Sequence, residues 1–254
     1  MTLPTVLITG GAKRLGAAMA ENFAEHGWHV ILHYNTSGDE AARLAASLPS
    51  SETVQCDLAD DLAAVTMIRN LAQRTADWRA LVNSASVFSY DSGICIDPAA
   101  NRMAMQVNAL SPALIAQTYF SHARSANGRR VIQILDQKLA NPNPDFFSYT
   151  MSKHAMAATV PMQAIASDCP ADRIYGLAPG AILASHDQTE EEAARSHIRN
   201  LLVRRTWASE VADAALFLTD GHLASGETLF VDSGQHLLAQ PRDVIYLERG
   251  GTNP

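Results

Sequence analysis

The sequence predicts an α/β fold built on a parallel sheet, because short apolar runs alternate with longer helical patterns along the chain. Composition supports one compact domain, since 47% of the 254 residues are hydrophobic and 18% are charged. No internal repeat and no linker rich in Gly, Pro or Ser divides the chain. We therefore expect a single Rossmann-like domain over 1–254, with a doubly wound, seven-stranded parallel sheet flanked by helices.

Each element follows from its local pattern. The strands are expected at Thr5–Thr9, His29–His33, Thr53–Cys56, Ala80–Asn83, Arg130–Leu135, Arg173–Leu177 and Thr228–Val231. The helices are expected near Leu15–His26, Glu40–Leu48, Leu62–Arg74, Arg102–Ser125, Tyr149–Ser167 and Ser209–Leu218. In such sheets a ligand binds beyond the carboxyl ends of the strands, and the candidate binding and catalytic residues of this sequence follow those ends.

A glycine-rich turn follows the first strand and leads into the first helix. Its flanking glycines, Gly10 and Gly16, permit a tight turn and a close approach to a phosphate. Lys13 and Arg14 add positive charge, and Leu15 starts the helical pattern. An ordinary strand-to-helix turn is the alternative, but the position after the first strand favours a dinucleotide site.

The end of the second strand indicates which dinucleotide binds. An NAD site usually has Asp or Glu there for the ribose 2′-hydroxyl. Here the residues are His33, Tyr34, Asn35, Thr36 and Ser37, which include donors and no carboxylate. A 2′-phosphate is compatible with this set, so NADPH is expected over NADH. After the third strand, Asp57 and its neighbour Leu58 are candidates for binding adenine, with a helix cap as the alternative role for Asp57.

Tyr149, Lys153 and Asp136 form the candidate catalytic group. Tyr149 and Lys153 are four residues apart, so they share one helix face. An ammonium beside a phenol lowers the phenol's pKa and makes proton transfer easier. Asp136 follows an apolar strand and could hold a substrate nitrogen or protonate it, which favours reduction of a C=N bond. As alternatives, Asp136 could cap a loop, and Phe88 further upstream could be core packing.

With the turn, the Tyr-x-x-x-Lys pair and Asn83 in this order, the chain resembles the short-chain dehydrogenase/reductase family over essentially its whole length. The segments 210–218 and 226–234 are similar to the family's closing helix and last strand. The resemblance implies that Asn108 helps to hold a water beside the catalytic lysine. It also implies that Pro179 and Gly180 pack near the nicotinamide.

Departures from the common family pattern are similar to pteridine reductases and dihydromonapterin reductases. Asp136 stands at the usual serine position, thirteen residues before Tyr149, and Arg14 replaces the middle glycine of the turn. The segment after the fourth strand reads Asn83-Ser84-Ala85-Ser86, and the second strand ends in His-Tyr-x-x-Ser. The resemblance implies that Phe88 stacks on a pterin and that Arg14 and Ser86 reach the pterin or cofactor phosphates. It also implies that Asp136 takes part in protonation beside Tyr149.

Three functions compete on this sequence. The first is NADPH-dependent reduction of a pterin, and the second is NADP-dependent reduction of a carbonyl, such as an acyl or sugar ketone. Asp136 separates the two, because a carboxylate would repel the oxyanion that forms from a carbonyl. The third is a non-catalytic cofactor-binding scaffold, against which the intact Asn108, Tyr149 and Lys153 argue.

Other features bound the partners and the cellular setting. A formal charge of −7 argues against binding to nucleic acid or to anionic membranes. No apolar run approaches the ~18 residues of a membrane span, the start leaves no room for a signal peptide, and the three cysteines show no metal or disulfide spacing. A small-molecule substrate in the cytoplasm, with no bound metal, is expected.

Two expectations concern assembly and the cleft entrance. The resemblance implies a homotetramer built on the long helices around 108–125 and 149–167. The C-terminal stretch Pro241–Pro254 could cover a neighbouring subunit's site or pack locally. The acidic run Glu190–Glu192, with Arg195 and Arg199, is either a solvated helix face or part of the family's mobile lid.

Overall fold

In the computed structural model, which describes residues 2–185 and 188–250, seven strands form one fully parallel sheet in the order β3-β2-β1-β4-β5-β6-β7. The strands are β1 Thr5–Thr9, β2 His29–Tyr34, β3 Ser51–Gln55, β4 Trp78–Asn83, β5 Arg130–Ile134, β6 Arg173–Pro179 and β7 Thr228–Val231. The predicted Rossmann-like α/β fold is therefore confirmed. The order reverses between β1 and β4, and the carboxyl ends of these two strands flank the crevice where such sheets bind ligands.

Helices cover both faces of the sheet. They are α1 Arg14–Glu25, α2 Gly38–Ser47, α3 Asp61–Arg74, α4 Pro98–Met105, α5 Ser111–His122, α6 Phe147–Ile165, α7 Glu190–Ser196, α8 Ala208–Thr219 and α9 Val244–Glu248. Alternation along β1 supplies both cores: Val6 and Ile8 face α1 and α8, and Leu7 faces α3 and α5. Because both faces of the sheet are covered, β1 is apolar or buried along its whole length.

The predicted long helix near 102–125 is wrong as a single element. The chain there forms α4, then a π-helical turn at Gln106–Leu110, then α5. Pro112 accounts for part of this break, because proline fits the first turn of a helix and disrupts a helix interior. The π-turn carries Asn108, which is fully buried.

Helix α7 was considered only as one alternative for the acidic run at 190–192, and helix α9 was not predicted. They span seven and five residues, too short to show a helical period in the sequence. Ion pairs hold these two short helices against each other. Glu248 contacts Arg195 and Arg199 at 2.6 and 2.9 Å, and Glu192 contacts Arg249 at 3.0 Å. The charged run at 190–199 therefore faces the C-terminal helix. Residues 251–254 of the predicted tail lie outside the described residues.

Within the described ranges 2–185 and 188–250, no helix has the length and apolar character needed to cross a bilayer. The same ranges hold no cluster of His, Cys, Asp and Glu side chains suited to a metal ion.

Candidate active site

The turn between β1 and α1 is packed too tightly for side chains at its two flanking glycines. Gly10 has a φ of +63° and a Cβ there would lie 2.9 Å from the Cα of Ala85. A Cβ on Gly16 would lie 2.2 Å from the carbonyl oxygen of Gly10. This close packing leaves the N-terminus of α1 facing the cleft, where unpaired N–H groups and the helix dipole favour an anion.

Arg14 occupies the strained position of the turn. Its φ of +53° lies in the left-handed region that favours glycine, at a cost on the order of 1–3 kcal/mol. Its guanidinium donates to the carbonyl oxygen of Ala184 at 2.8 Å, in the loop after β6. Arg14 therefore joins the turn to the entrance of the cleft and places a positive charge there.

His33 supports the turn from beneath. Its Nδ1 accepts the N–H of Gly10 at 3.1 Å, and its Nε2 lies 3.0 Å from the carbonyl oxygen of Cys56. Burial lowers the pKa of the imidazole to about 4, so His33 is neutral at physiological pH. A neutral ring can accept from Gly10 while donating to Cys56, which is the pattern that the contacts require.

Residues after β2 and β4 extend the cleft along the sheet edge. Thr9 holds the β4 loop, since its Oγ1 accepts the N–H groups of Ser84 and Ala85 at 3.0 and 3.1 Å. Tyr34, Asn35, Thr36 and Ser37 line the neighbouring wall without contributing a carboxylate. The adjacent Glu40 contacts Lys13 at 2.7 Å. This wall fits a phosphorylated ribose, with Lys13 and Arg14 as the nearby cations.

Helix α6 places the two principal catalytic candidates. It begins after Phe146, which has a φ of +53° and makes no side-chain cap. Asp91 replaces that cap, because its carboxylate accepts from the N–H and the hydroxyl of Ser148 at 2.9 and 2.5 Å. The helix start fixed in this way directs Tyr149 and Lys153 into the cleft.

Tyr149 and Asp136 are directly hydrogen-bonded. The Tyr149 hydroxyl donates to Asp136 Oδ2 at 3.0 Å, and Asp136 Oδ1 accepts the N–H of Lys138 at 2.8 Å. Lys153 donates to the carbonyl oxygen of Ile134 at 2.7 Å, and its Nζ lies 5.7 Å from the centre of the Tyr149 ring. The carboxyl group expected to cap a loop or serve the chemistry is in contact with both the loop and the phenol.

Burial dominates the protonation of this group. Burial, together with the charge of Asp136, raises the pKa of Tyr149 well above its usual value. Burial also raises the pKa of Asp136 and lowers that of Lys153 to about 8. The expected lowering of the tyrosine pKa by lysine is absent from this arrangement, because the Lys153 ammonium binds a carbonyl while Asp136 contacts the phenol. Tyr149 is accordingly a protonated donor.

An aromatic series runs from Tyr149 towards the C-terminal helix. Phe88 meets Tyr149 edge to face, with ring centres 4.7 Å apart, and stacks on Phe146 at 4.2 Å. Phe146 in turn stacks on Tyr246 in α9 at 6.1 Å. Phe88 still keeps 36% of its surface exposed and lines the cleft. The ring is therefore both packed on one side and available to a flat ligand.

The C-terminal segment supplies part of the cleft wall of the same chain. Asp243, Val244 and Ile245 line the cleft. The N–H of Asp243 donates to Asp145 Oδ2 at 2.8 Å, and Arg242 contacts the same carboxylate at 2.7 Å. Of the two placements left open by the sequence, the described part of this segment packs locally.

Comparison with known proteins places the fold and these side chains in one family. The family model described as Enoyl-(Acyl carrier protein) reductase matches residues 10–236. The chain belongs to the short-chain dehydrogenase/reductase family.

Three relatives of known activity or structure align with nearly the whole chain. The crystal structure of FolM Alternative dihydrofolate reductase 1 from Brucella suis in complex with NADP is 31% identical, with a TM-score of 0.86 over 93% of this chain and 96% of that one. Pteridine reductase 1 from Leishmania tarentolae is 26% identical over 93% of this chain and 97% of its own length. The angucycline C-6 ketoreductase LanV, with bound NADP, is 26% identical, with a TM-score of 0.82 over 92% and 96% of the two chains.

Most residues predicted for the site line one cleft of about 640 Å³. They are Gly10, Lys13, Arg14, Leu15, Gly16, Tyr34, Asn35, Ser37, Ser84, Ala85, Ser86, Phe88, Asp136, Tyr149, Lys153, Pro179 and Gly180. Family motifs thus converge at the carboxyl edge of the sheet, with the Gly-rich turn at one end and Asp136 at the other. Their roles in binding and catalysis stay predictions.

Five predicted residues lie outside the cleft lining: His33, Asp57, Leu58, Asn83 and Asn108. Asp57 accepts the N–H of Ala59 at 3.0 Å in the loop before α3, and the cap of α3, the alternative role considered for Asp57, is made by Asp60. Leu58 is buried, and Asn83 donates to Gln133 Oε1 at 3.0 Å inside the core. In this member of the family these side chains support the cleft from behind.

Asn108 connects three segments of the site. Its Oδ1 accepts the N–H of Val87 at 2.8 Å, and its Nδ2 donates to the carbonyl oxygen of Val87 and to Ser152 Oγ at 2.9 and 3.0 Å. Val87 precedes Phe88, and Ser152 precedes Lys153. Asn108 therefore fixes the segment before Phe88 relative to α6, a contact that no local sequence pattern could indicate.

Several cleft residues were not predicted. They are Ala12, Ile134, Leu135, Gln137, Lys138, Ala181, Ile182, Leu183, Ser185, Gln188, His197, Gln235, Asp243, Val244 and Ile245. Those near Gln137, Ile182 and Gln235 follow the ends of β5, β6 and β7, so the rule that ligands bind beyond strand ends could have found them. His197 and 243–245 depend on tertiary packing and gave no local signal.

Proposed function

We propose that this chain reduces a C=N bond of a pterin with NADPH. The observation that carries the proposal is the hydrogen bond from the Tyr149 hydroxyl to Asp136, at the position where the family usually has serine. A buried pair of this kind holds a proton next to the reacting atom. The pteridine reductase and the NADP-bound dihydrofolate reductase among the relatives support the same chemistry.

The cofactor assignment rests on the shape and charge of one end of the cleft. Side chains at Gly10 and Gly16 would collide with Ala85 and with the Gly10 carbonyl oxygen, so only glycine permits this tight turn at the start of α1. Arg14 supplies positive charge, Lys13 is paired with the neighbouring Glu40, and the residues 34–37 themselves carry no carboxylate against a 2′-phosphate. When bound, NADPH supplies the hydride.

Proton delivery belongs to this chain's own side chains. In the reduction the substrate carbon gains a hydride and its nitrogen gains a proton, so the C=N bond becomes an amine. Either the Tyr149 hydroxyl or the Asp136 carboxyl donates that proton, because burial keeps both groups protonated more readily than in water. Lys153 binds the carbonyl oxygen of Ile134 and so holds the end of β5 beside this pair.

Substrate binding uses Phe88, Arg14 and Ser86. Phe88 offers an exposed ring face to a flat heterocycle, and aromatic stacking contributes about 0.5–1.5 kcal/mol beyond burial. Arg14 lies across the mouth of the cleft, where its guanidinium is held by the carbonyl of Ala184. These contacts support a planar, polar substrate between the aromatic wall and the nicotinamide position.

Reduction of a ketone is the second candidate, favoured by the ketoreductase among the relatives. A carboxylate at position 136 opposes it, because a developing oxyanion beside Asp136 would be repelled. If Asp136 stays protonated, that repulsion disappears, so the two candidates must be separated by experiment.

The experiment measures NADPH oxidation with dihydromonapterin, dihydrobiopterin, dihydrofolate and a panel of ketones, and repeats each with NADH. We expect pterin-dependent turnover with NADPH, and a loss of about 10²-fold or more in the Asp136→Ser variant. The matched control is Asp220→Asn, an exposed carboxylate remote from the cleft. Ketone turnover that rises in Asp136→Ser, with no pterin turnover in the unaltered chain, would replace the proposal by the second candidate.

We also propose that the chain acts as a homotetramer in the cytoplasm. Exposed apolar side chains lie in the π-helical turn before α5 and on α6: Leu110, Met162 and Ile165 have 46%, 67% and 86% of their surfaces accessible. Such residues favour burial between subunits. Size-exclusion chromatography with light scattering measures the mass of the assembly. A monomer at micromolar concentration would contradict the proposal.

A further inference from the structure

We propose that Lys138 and Asp243 form a buried latch that positions Asp136 and balances its electrostatic environment. The inference rests on the proposed function, in which Asp136 delivers a proton, and adds two positioning residues to it. The latch joins the loop that carries Asp136 to the C-terminal segment of the same chain.

The first support is the way in which Asp136 is held. Its Oδ1 accepts the backbone N–H of Lys138 at 2.8 Å, while its Oδ2 faces the Tyr149 hydroxyl. The carboxyl group can keep this orientation only while the backbone at Lys138 stays in place. Whatever anchors Lys138 therefore sets the geometry of the proton donor.

The second support is the burial of the Lys138 ammonium. Only 6% of the side chain is accessible, and its Nζ contacts Asp243 Oδ2 at 2.6 Å. It also donates to the carbonyl oxygen of Asp145 at 3.3 Å and lies 5.2 Å from the centre of the Phe146 ring. A buried ammonium is costly unless it is paired, so Asp243 is required for Lys138 to stay inside.

The third support is that Asp243 is itself fixed. Its Oδ1 caps α9 by accepting the N–H of Ile245 at 3.1 Å, and its N–H binds the carboxylate of Asp145. Arg242, on the same carboxylate, adds a second attachment. The latch is therefore anchored on both sides, and it lines the cleft rather than the surface.

The charges of the latch act on Asp136 in opposite directions. Lys138 lowers the pKa of the Asp136 carboxyl and Asp243 raises it. The other ionisable groups that interact with Asp136 are Tyr149, whose hydroxyl donates to it, and the Lys153 ammonium. Lys138 has the larger influence and Asp243 the smaller one. Removal of either charge leaves the other unopposed, and removal of both leaves a smaller net change than removal of Lys138 alone.

This opposition gives a test that a purely structural role would not pass. The variants are Asp243→Asn, Lys138→Met and the double variant, made in the full chain. The Asp136 pKa is read from the ¹³C signal of its carboxyl carbon, assigned by its absence in Asp136→Asn. We expect the titration to move to lower pH in Asp243→Asn and to higher pH in Lys138→Met, with the larger shift in Lys138→Met. The double variant should titrate between Lys138→Met and the unaltered chain.

Kinetics supply the second readout. In the double variant we expect kcat to fall about tenfold with the KM for NADPH unchanged, because Asp136 loses its anchor while the cofactor end of the cleft is untouched. Replacing both partners of a buried pair is better tolerated than removing one. The double variant therefore keeps the test valid if a single variant does not fold. The control, Glu248→Gln, loosens α9 on its exposed side and should leave the Asp136 titration unchanged.

The outcomes separate the latch from the proposed function. Unshifted titration in both single variants, or an unchanged kcat in the double variant, overturns the latch. Opposite shifts in a chain that reduces no pterin would support the latch and remove the pterin assignment. The titration needs no substrate, so the two failures are distinguishable.

Discussion

The two ends of the cleft are built in different ways. The cofactor end is mostly backbone: a tight turn, the start of α1 and a neutral His33 beneath, all contributed by β1, α1 and β2. The substrate end is made of side chains, with Asp136, Tyr149 and Lys138 joined to the C-terminal segment through buried charges. A backbone site tolerates few changes in shape, whereas a side-chain site can be retuned by changing charge.

This difference indicates which end of the cleft can vary between proteins that share the fold but act on different substrates. The cofactor end depends on close approach between Gly10 and Gly16, which admits almost no variation. The substrate end depends on segments after β5 and after β7, which pack together without being constrained by the sheet. Substitutions at the two ends of the cleft should therefore change different measured quantities.

The largest effect is expected at the substrate end, from Tyr149→Phe. Loss of the donor should reduce turnover by about 10²–10⁴-fold, the usual contribution of general acid catalysis. Binding of NADPH, followed by its fluorescence, should change little, because the turn and α1 are untouched. Substantial remaining turnover would transfer the role of essential acid from Tyr149 to Asp136.

A large effect at the cofactor end should come from pH. His33 has a folded-state pKa of about 4, against 6.5 for a free histidine, so it favours the folded state while neutral. Its contribution is complete above pH 6.5 and is lost as the pH falls towards 4, by about 3 kcal/mol.

Urea unfolding at several pH values measures that loss. The His33→Gln variant can make similar hydrogen bonds without titrating, so its stability should change less between pH 6.5 and 4. An identical slope in the variant and the unaltered chain would assign the pH dependence to other groups.

Gly16→Ala should affect shape rather than charge. The added Cβ would lie 2.2 Å from the Gly10 carbonyl oxygen, so the turn must shift. We expect the free energy of unfolding to fall by about 1–3 kcal/mol, with weaker NADPH binding. At Gly38, where φ is not in the left-handed region, the added Cβ would lie an ordinary 3.4 Å from Tyr34. Gly38→Ala is therefore the matched control, and equal effects in both variants would contradict the close-packing argument.

The smallest effect on stability is expected where the two ends meet, from Arg14→Gly. Glycine relieves the left-handed strain, so the free energy of unfolding should rise by about 1 kcal/mol. The lost guanidinium should raise the KM for substrate or cofactor. Thermal unfolding should therefore show a more stable protein, while steady-state kinetics should show weaker binding. A decrease in both stability and affinity would show that the contact with Ala184 outweighs the strain.

The sequence was sufficient for the sheet and for the glycine turn at the cofactor end, but not for His33, Asp57, Leu58 and Asn83, which lie outside the cleft lining. Apolar runs located all seven strands to within a few residues, and the turn after β1 was recognisable because its glycines are contiguous with the strand. Asp136, Tyr149 and Lys153 were also identified, since their spacing along β5 and α6 is local. These features depend on neighbours in the chain.

The substrate end could not be predicted in the same way. The contact between Lys138 and Asp243 joins residues more than a hundred positions apart, and the pKa of Tyr149 depends on which charge lies nearer to it in space. The burial of His33 beneath Gly10 likewise appears only when β1 and β2 pair. Charge placement across the fold, rather than helix or strand propensity, limits the prediction.

The position of α9 has a practical consequence for handling the protein. The helix ends at Glu248, a few residues after Asp243 and Ile245 in the cleft wall. The chain enters β1 at Thr5, at the opposite edge of the sheet from the cleft. A fluorescent label attached to a side chain of α9 would therefore lie close to the cleft wall, whereas the same label just before β1 would lie at the opposite edge of the sheet.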